Sequence, residues 1–234
     1  ALGREGGVTQ WMTPLVRPLR GALTISGGKL FAGGSDGRAY AFDKRTGGVL
    51  WSIPFALVFS GQPVVKDGKV YFGSEDGFFY ALNLDNGSLI YKTERLGSME
   101  GSFSVVDNHA YIGTEQGDLF CLNLSDGSTV WKARIGADSD STPAVSEGMV
   151  YTAAENGYVY AFRQTNGELV WKYKADPGGT SKEKNGFWAS PIVANGRVHI
   201  GSSNNYLYAL NAKSGEVIWR YRARGSIWRV AAPK

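Results

Sequence analysis

A phrase repeated every forty residues predicts an all-β fold, a β-propeller built from four-stranded antiparallel blades. Ala41-x-Asp43-x-x-Thr46-Gly47-x-x-x-Trp51 returns as Ala81-x-Asn83-x-x-Asn86-Gly87-x-x-x-Tyr91. It returns again from Cys121 to Trp131, from Ala161 to Trp171 and from Ala209 to Trp219. Glycine gives the second indication: it supplies 32 of the 234 residues, against a usual share of about 7%. The excess falls at turns. Third, the apolar residues occur in short alternating runs, and none approaches the ~18 residues of a membrane-spanning helix.

Each element of a repeat can be read in order. In the unit from Ser141 to Trp171, Thr142–Ser146 is a short strand closed by Glu147-Gly148. Met149–Ala153 follows, then a turn at Glu155-Asn156-Gly157. Tyr158–Phe162 is the third strand, Thr165-Asn166-Gly167 the third turn, and Glu168–Lys172 the fourth strand. Short alternating runs joined by tight glycine turns are the signature of an antiparallel meander. The first turns read Gly27-Gly28, Asp67-Gly68, Asp107-Asn108, Glu147-Gly148 and Asn195-Gly196, residue types that suit positive φ. The second turns carry Gly37, Gly77, Gly117, Gly157 and Asn205. Asn is the common substitute for Gly in the left-handed region.

A four-stranded sheet this small cannot cover its own faces, so sheets must pack face to face. The closing Trp of each unit is expected between sheets, because its large apolar area needs burial. His199 stands where Phe31, Tyr71, Tyr111 and Tyr151 stand in other units, so it is read as a blade-face residue. Cys121 replaces Ala41, Ala81, Ala161 and Ala209 and is read as a small core residue. One Cys and two His exclude a disulfide framework and a CxxC metal site, and leave little for a nucleophile–base pair. The net charge of +4 does not by itself imply nucleic acid, and none is expected as a partner.

The eleven-residue phrase resembles the tryptophan-docking motif of the pyrroloquinoline-quinone (PQQ)-like propeller repeat. The resemblance covers residues 20 to 220 and implies a single repeat domain over 1–234, with units at about 21–52, 61–92, 101–132, 141–172 and 189–220. Partial strands are expected at 5–11 and 228–233. They could share an incomplete sixth blade in a closed ring, or belong to an arc of a larger propeller. The expectation adopted here is five complete blades plus strands of an incomplete sixth.

The family includes quinoprotein dehydrogenases, the lipoprotein of outer-membrane-barrel assembly, and sensor domains fused to kinases. The resemblance implies a non-catalytic binding or scaffold propeller, periplasmic or otherwise extracytoplasmic. It would bind protein partners, as in a membrane-associated complex, with no cofactor and no transmembrane segment. No secretory leader is read at the start of the sequence, as in a mature or trimmed form. One alternative is a PQQ-dependent dehydrogenase with calcium. Against it, such enzymes use an adjacent-cysteine pair and long inter-blade insertions. The other is a ligand-sensing domain of a larger receptor or kinase.

By the same resemblance, the face carrying the inter-blade connections and middle-hairpin turns is the binding face. Nine residues past each closing aromatic lies the funnel-mouth position: Arg20, Ser60, Glu100, Asp140 and Trp228, with Trp188 joining once the insertion in 174–190 is removed. Here the repeat changes chemistry at every step, as a partner site would require. Phe187 and Trp188 end the insertion, and Arg229 follows Trp228; these complete the expected partner site. Phe187 and Trp188 serve either as partner anchors or as pins for the loop. A competing surface is a basic rim of Arg220, Arg222 and Arg224, preceded in earlier repeats by Lys132/Arg134 and Lys172/Lys174. Its plain role is protection of edge strands; its sharper role is attraction of an anionic partner.

Overall fold

The structure, a computed structural model, describes residues 2, 6–176 and 186–227. They contain no helix and five four-stranded antiparallel sheets, each in sequential strand order. The chain divides into two compact units, Ala1–Glu100 and Gly101–Lys234. The first holds β1 (Leu19–Ser26), β2 (Lys29–Gly34), β3 (Arg38–Asp43) and β4 (Val49–Pro54) as one sheet. Its second sheet is β5 (Val64–Lys66), β6 (Lys69–Gly73), β7 (Phe79–Asn83) and β8 (Leu89–Lys92).

The second unit holds three sheets. The third sheet is β9 (Ser104–Val106), β10 (His109–Gly113), β11 (Asp118–Asn123) and β12 (Thr129–Arg134). The fourth is β13 (Ala144–Ser146), β14 (Met149–Ala153), β15 (Tyr158–Arg163) and β16 (Leu169–Lys174). The fifth is β17 (Ile192–Ala194), β18 (Arg197–Gly201), β19 (Tyr206–Asn211) and β20 (Val217–Arg222).

Among the described residues no strand of a sixth sheet is seen. Residues 6–11 form a turn and a single antiparallel bridge between Leu2 and Thr9 rather than a sheet strand. The 228–233 expectation lies outside the described residues.

The turn chemistry explains the meander. Asp67, Glu147 and Asn195 open first turns at φ near +50°, each followed by a positive-φ Gly. Asn205, at φ +68°, does what Gly37, Gly77, Gly117 and Gly157 do elsewhere. In four of the five sheets the third turn is an Asx turn: Asp43 Oδ1 accepts from the N–H groups of Arg45 and Thr46, and Asn211 Oδ1 from those of Lys213 and Ser214, whereas the fourth sheet has Arg163 at that place. Directly after it, each third-to-fourth-strand pairing slips by one residue, at Ala41/Phe42 and its four counterparts. This bulge restores register so that Ala41 faces Trp51 and Cys121 faces Trp131.

The cores lie between successive sheets. In the first unit, Phe31, Ala39, Ala41 and Trp51 of one sheet meet Val70, Phe72, Tyr80 and Leu82 of the next. In the second, Tyr151, Val159, Ala161 and Trp171 meet Val198, Ile200, Tyr208 and Leu210. The closing Trp makes each joint in two ways. Trp51, Trp131 and Trp171 donate Nε1–H to the carbonyls of Leu84, Gln164 and Ala212, at 3.2, 2.9 and 2.9 Å. Their rings lie on Gly87, Gly167 and Gly215, where an added Cβ would fall 2.8, 2.6 and 2.7 Å from the indole. Those glycines also hold φ near +71° to +74°, so each is required twice over, for space and for backbone. Trp11 repeats both contacts on Lys44 and Gly47, leaving beside β1 an apolar groove of about 320 Å³ lined by Trp11, Leu15, Leu19 and Leu23.

Trp131 is 7% exposed. Trp131→Ala should therefore cost about 3–5 kcal/mol in chemical denaturation, the range for a core Trp. Gly167→Ala should also destabilise, although it enlarges no cavity and removes no contact. A loss under about 1 kcal/mol for Trp131→Ala would place the ring outside the core.

Candidate functional site

The connections and the middle-hairpin tips are joined by one repeated hydrogen bond. The N–H groups of Ser35, Glu75, Glu155 and Ser203 donate to the carbonyls of Pro18, Val58, Asp138 and Gly186, at 3.0–3.1 Å. The funnel-mouth residue lies two positions beyond each of these carbonyls: Arg20, Ser60, Asp140 and Trp188. Extended backbone repeats its direction every second residue, so this bond sets the mouth residue beside the tip.

In the first unit, Arg20 and Ser60 converge on Glu75. Arg20 Nη1 lies 3.1 Å from Glu75 Oε1, and Ser60 Oγ donates to the same oxygen at 2.5 Å. Arg20 is half exposed at its side chain, so this pair adds order more than stability. Glu100 is exposed at the end of this unit.

In the second unit, Asp140 joins Asp138 and Glu155, whose carboxylate oxygens lie within 4.8 Å of one another. Trp188 donates Nε1–H to Glu155 Oε1 at 2.7 Å. Burial, then the charges of Glu155 and Glu115, push the Asp138 carboxyl above its ordinary range. Hydrogen bonds with Asp140 and from the Ser139 N–H oppose that shift. Asp138 Oδ1 is buried and has no hydrogen-bond partner. Carboxylates this close must share protons or be balanced by a cation. These three are the residues of the described chain that could hold a metal ion.

Glu75 and Glu155 were not singled out by the sequence reading, nor was Asp138. The signal was present: Glu75, Glu115 and Glu155 recur at the forty-residue period, each at a hairpin tip.

Other expected site residues fall differently. Phe187 is 1% exposed and packs edge-on to Tyr208, with ring centroids 6.0 Å apart. It pins the end of the insertion to the fifth sheet and offers a partner nothing, because its ring is already in the core. Trp188 remains half-buried. Trp228, Arg229 and the middle of the insertion lie outside the described residues.

The basic rim is narrower than expected. Lys132 and Arg134 both pair with Asp118 at 2.9 Å, Lys174 sits 4.3 Å over the Tyr158 ring, and Arg220 pairs with Asp176. These cations are tied within their own unit. Arg222 and Arg224 are exposed and form no ion pair among the described residues. Cys121 is 1% exposed, and burial pushes its thiol up to about 11, which removes it as a nucleophile. His199 lies against Trp219 as a face residue, with centroids 5.7 Å apart.

A carboxyl whose folded pKa is raised favours folding below its unfolded pKa, and that contribution is lost as pH rises through the folded value. Asp138→Asn should therefore raise the melting temperature at pH 7 and do so less at pH 4. Equal effects at the two pH values would show that Asp138 carries no such burden.

Comparison with known proteins places the fold. The chain is similar to the crystal structure of BamB from Moraxella catarrhalis, with a TM-score of 0.85 and 20% identity over 99% of this chain and 72% of that one. It is also similar to the computationally designed Ika8 protein, with a TM-score of 0.76 and 14% identity over 92% of this chain and 65% of that one. Both likenesses show the β-propeller fold. No curated protein matches. Residues 1–104 and 95–232 match the PQQ_2 family, described as outer membrane protein assembly factor BamB, and together these two matches span nearly the whole sequence: the chain belongs to that family.

Proposed function

We propose that this propeller is a non-catalytic binding module, acting in protein assembly at the cell envelope as a part of a membrane-associated complex. The observation that carries this reading is the tip-to-connection hydrogen bond. The backbone there is constant, while the side chain it presents changes from Arg20 to Ser60 to Asp140 to Trp188. A constant frame with variable chemistry suits recognition of a shaped partner more than a fixed reaction. Membership of a family described as an outer membrane protein assembly factor supports an extracytoplasmic place for it.

The quinoprotein alternative fits less well. Asp138, Asp140 and Glu155 could supply oxygen ligands to a calcium ion. The quinone's expected partner, an adjacent pair of cysteines, has no counterpart, since the single Cys121 is buried between the third and fourth sheets. A PQQ soak with calcium should leave no quinone absorbance after gel filtration and no dye-linked oxidation of alcohols or sugars. Stoichiometric retention with turnover would overturn the binding-module reading.

The partner surface can be tested by capture from detergent-solubilised envelopes. Trp188→Ala together with Trp228→Ala should weaken capture while leaving the melting temperature nearly unchanged, at about 2 kcal/mol or more per aromatic anchor. The competing rim is tested by changing Arg220, Arg222 and Arg224 to Ser. Rim-dominated capture should fall steeply with added salt, whereas an aromatic mouth should respond weakly. Loss of capture in the rim variant alone would sink the mouth assignment.

A further inference from the structure

The connection from the third to the fourth sheet is held unlike the others. Ser139 stands where Leu19, Phe59, Met99 and Phe187 stand, and Ser141 where Gly21, Gly61, Gly101 and Ala189 stand. Thr152 of β14 replaces Ala32, Phe72, Ile112 and Ile200. At the second sheet this place is a ring contact, Phe59 on Phe72 with centroids 5.2 Å apart, and at the fifth Phe187 and Ile200 share one core. At the fourth it is a cluster of three buried hydroxyls. Ser139 Oγ and Ser141 Oγ each donate to the carbonyl of Ala153 at 3.0 Å, and Thr152 Oγ1 lies 3.0 and 3.1 Å from them. Ser141 Oγ also accepts the N–H of Ala153 at 3.1 Å. With both serine protons on Ala153, Thr152 donates to one of the serines, and every hydroxyl proton has an acceptor.

Such a cluster gives up apolar burial for fixed direction, because a buried polar network with all members satisfied rigidifies what it holds. Here it holds extended backbone, whose side chains alternate. Ser139 and Ser141 turn in to β14, while Asp138 and Asp140 bring their carboxylates to Glu155. Gly101 and Gly113 also approach this segment closely. An added Cβ on Gly101 would fall 2.3 Å from the Asp140 carbonyl oxygen, and one on Gly113 2.6 Å from that of Ser139. The held groups repel one another: Asp138, Asp140 and Glu155 have oxygens within 4.8 Å, and Glu115 of the third sheet adds its charge. The Trp188 indole N–H on Glu155 and the Ser139 N–H on Asp138 are neutral donors.

We propose that Ser139, Ser141 and Thr152 are positioning residues for the acidic mouth. Their hydroxyls clamp residues 139–141 to β14, so that Asp138 and Asp140 stay beside Glu155 against their mutual repulsion. The inference rests on the reading of this mouth as a partner surface, and adds the groups that order its carboxylates before a partner arrives. A mouth ordered in advance loses less freedom on binding.

The test is a double-substitution cycle read by native-state amide exchange. The Glu155 N–H donates to the Asp138 carbonyl at 3.0 Å, and the Ser203 N–H makes the equivalent bond to Gly186 at 3.1 Å. Thr152→Val keeps the side-chain shape and removes the hydroxyl. It should speed exchange at Glu155 about three- to tenfold, the range for one ordinary hydrogen bond. Ser203 should keep its rate, and Thr152→Ser should keep both. In an Asp140→Asn background one repelling charge is gone, and Thr152→Val should then change Glu155 exchange by under about twofold. Ser141→Ala, which leaves Thr152 its bond to Ser139, gives a milder reading of the same cycle. Equal acceleration in both backgrounds, unchanged exchange at Glu155, or an equal loss of protection at Ser203 would overturn the proposal. Capture from solubilised envelopes tests the binding face separately. Lost protection at Glu155 with capture unchanged would uphold the clamp and count against the mouth as that face.

Discussion

The backbone of one residue ties neighbouring sheets together at each joint closed by a Trp. Its N–H donates back to the first hairpin of its own sheet: Leu84 to Gly68, Gln164 to Gly148 and Ala212 to Gly196, at 2.8–3.0 Å. Its C=O accepts the indole N–H of the preceding sheet. The Gly three residues on receives the ring. Because the turn is fixed from within its sheet before it meets its neighbour, the Trp finds a rigid socket. Burial of the indole supplies the energy, and the hydrogen bond supplies the register.

The outer strands show how the same device manages a hazard. The bulge that aligns Ala41 with Trp51 also turns Val49 and Leu50 outward together, at 47% and 48% exposure, and the other outer strands do likewise. Exposed aliphatic pairs on an unpaired edge invite sheet-to-sheet aggregation. The bulge interrupts the ladder at that point, and cations follow directly: Lys92 over Phe78, Lys132 on Asp118, Lys174 over Tyr158. The charges that suggested a rim for anionic partners are largely part of this edge protection.

The sheets were legible in the sequence because turns and period are local facts. Glycines at fixed offsets and an Asx before four of the five third turns leave few alternatives to a meander. The candidate site was legible only in part. Arg20, Ser60, Asp140 and Trp188 could be located by counting, since they share a backbone position. Their partners Glu75 and Glu155 come from a different strand connection, Asp138 from the same one as Asp140, and nothing in spacing alone says which tip meets which mouth. Phe187 shows the complementary limit. An aromatic in a polar insertion reads equally as anchor or as pin, and only the position of Tyr208 decides between them. The rim was only partly legible for a related reason: the pairing of Lys132 and Arg134 with Asp118, and of Arg220 with Asp176, joins residues apart in sequence.

The junction residue carries a further implication for how such chains diverge. Both of its bonds use backbone atoms, so the junction itself asks nothing of the side chain there. It is Lys44, Leu84, Leu124, Gln164 and Ala212 in the successive turns, a set with no common size, charge or polarity. What limits the residue is only its local packing, tight at Ala212 and open at Lys44, so its part in the joint leaves no trace in residue identity. Comparing sequences would rank it among the variable sites in the repeat, whereas an ester in place of the amide that carries its N–H would remove the bond to its own sheet and leave intact the carbonyl that accepts the indole.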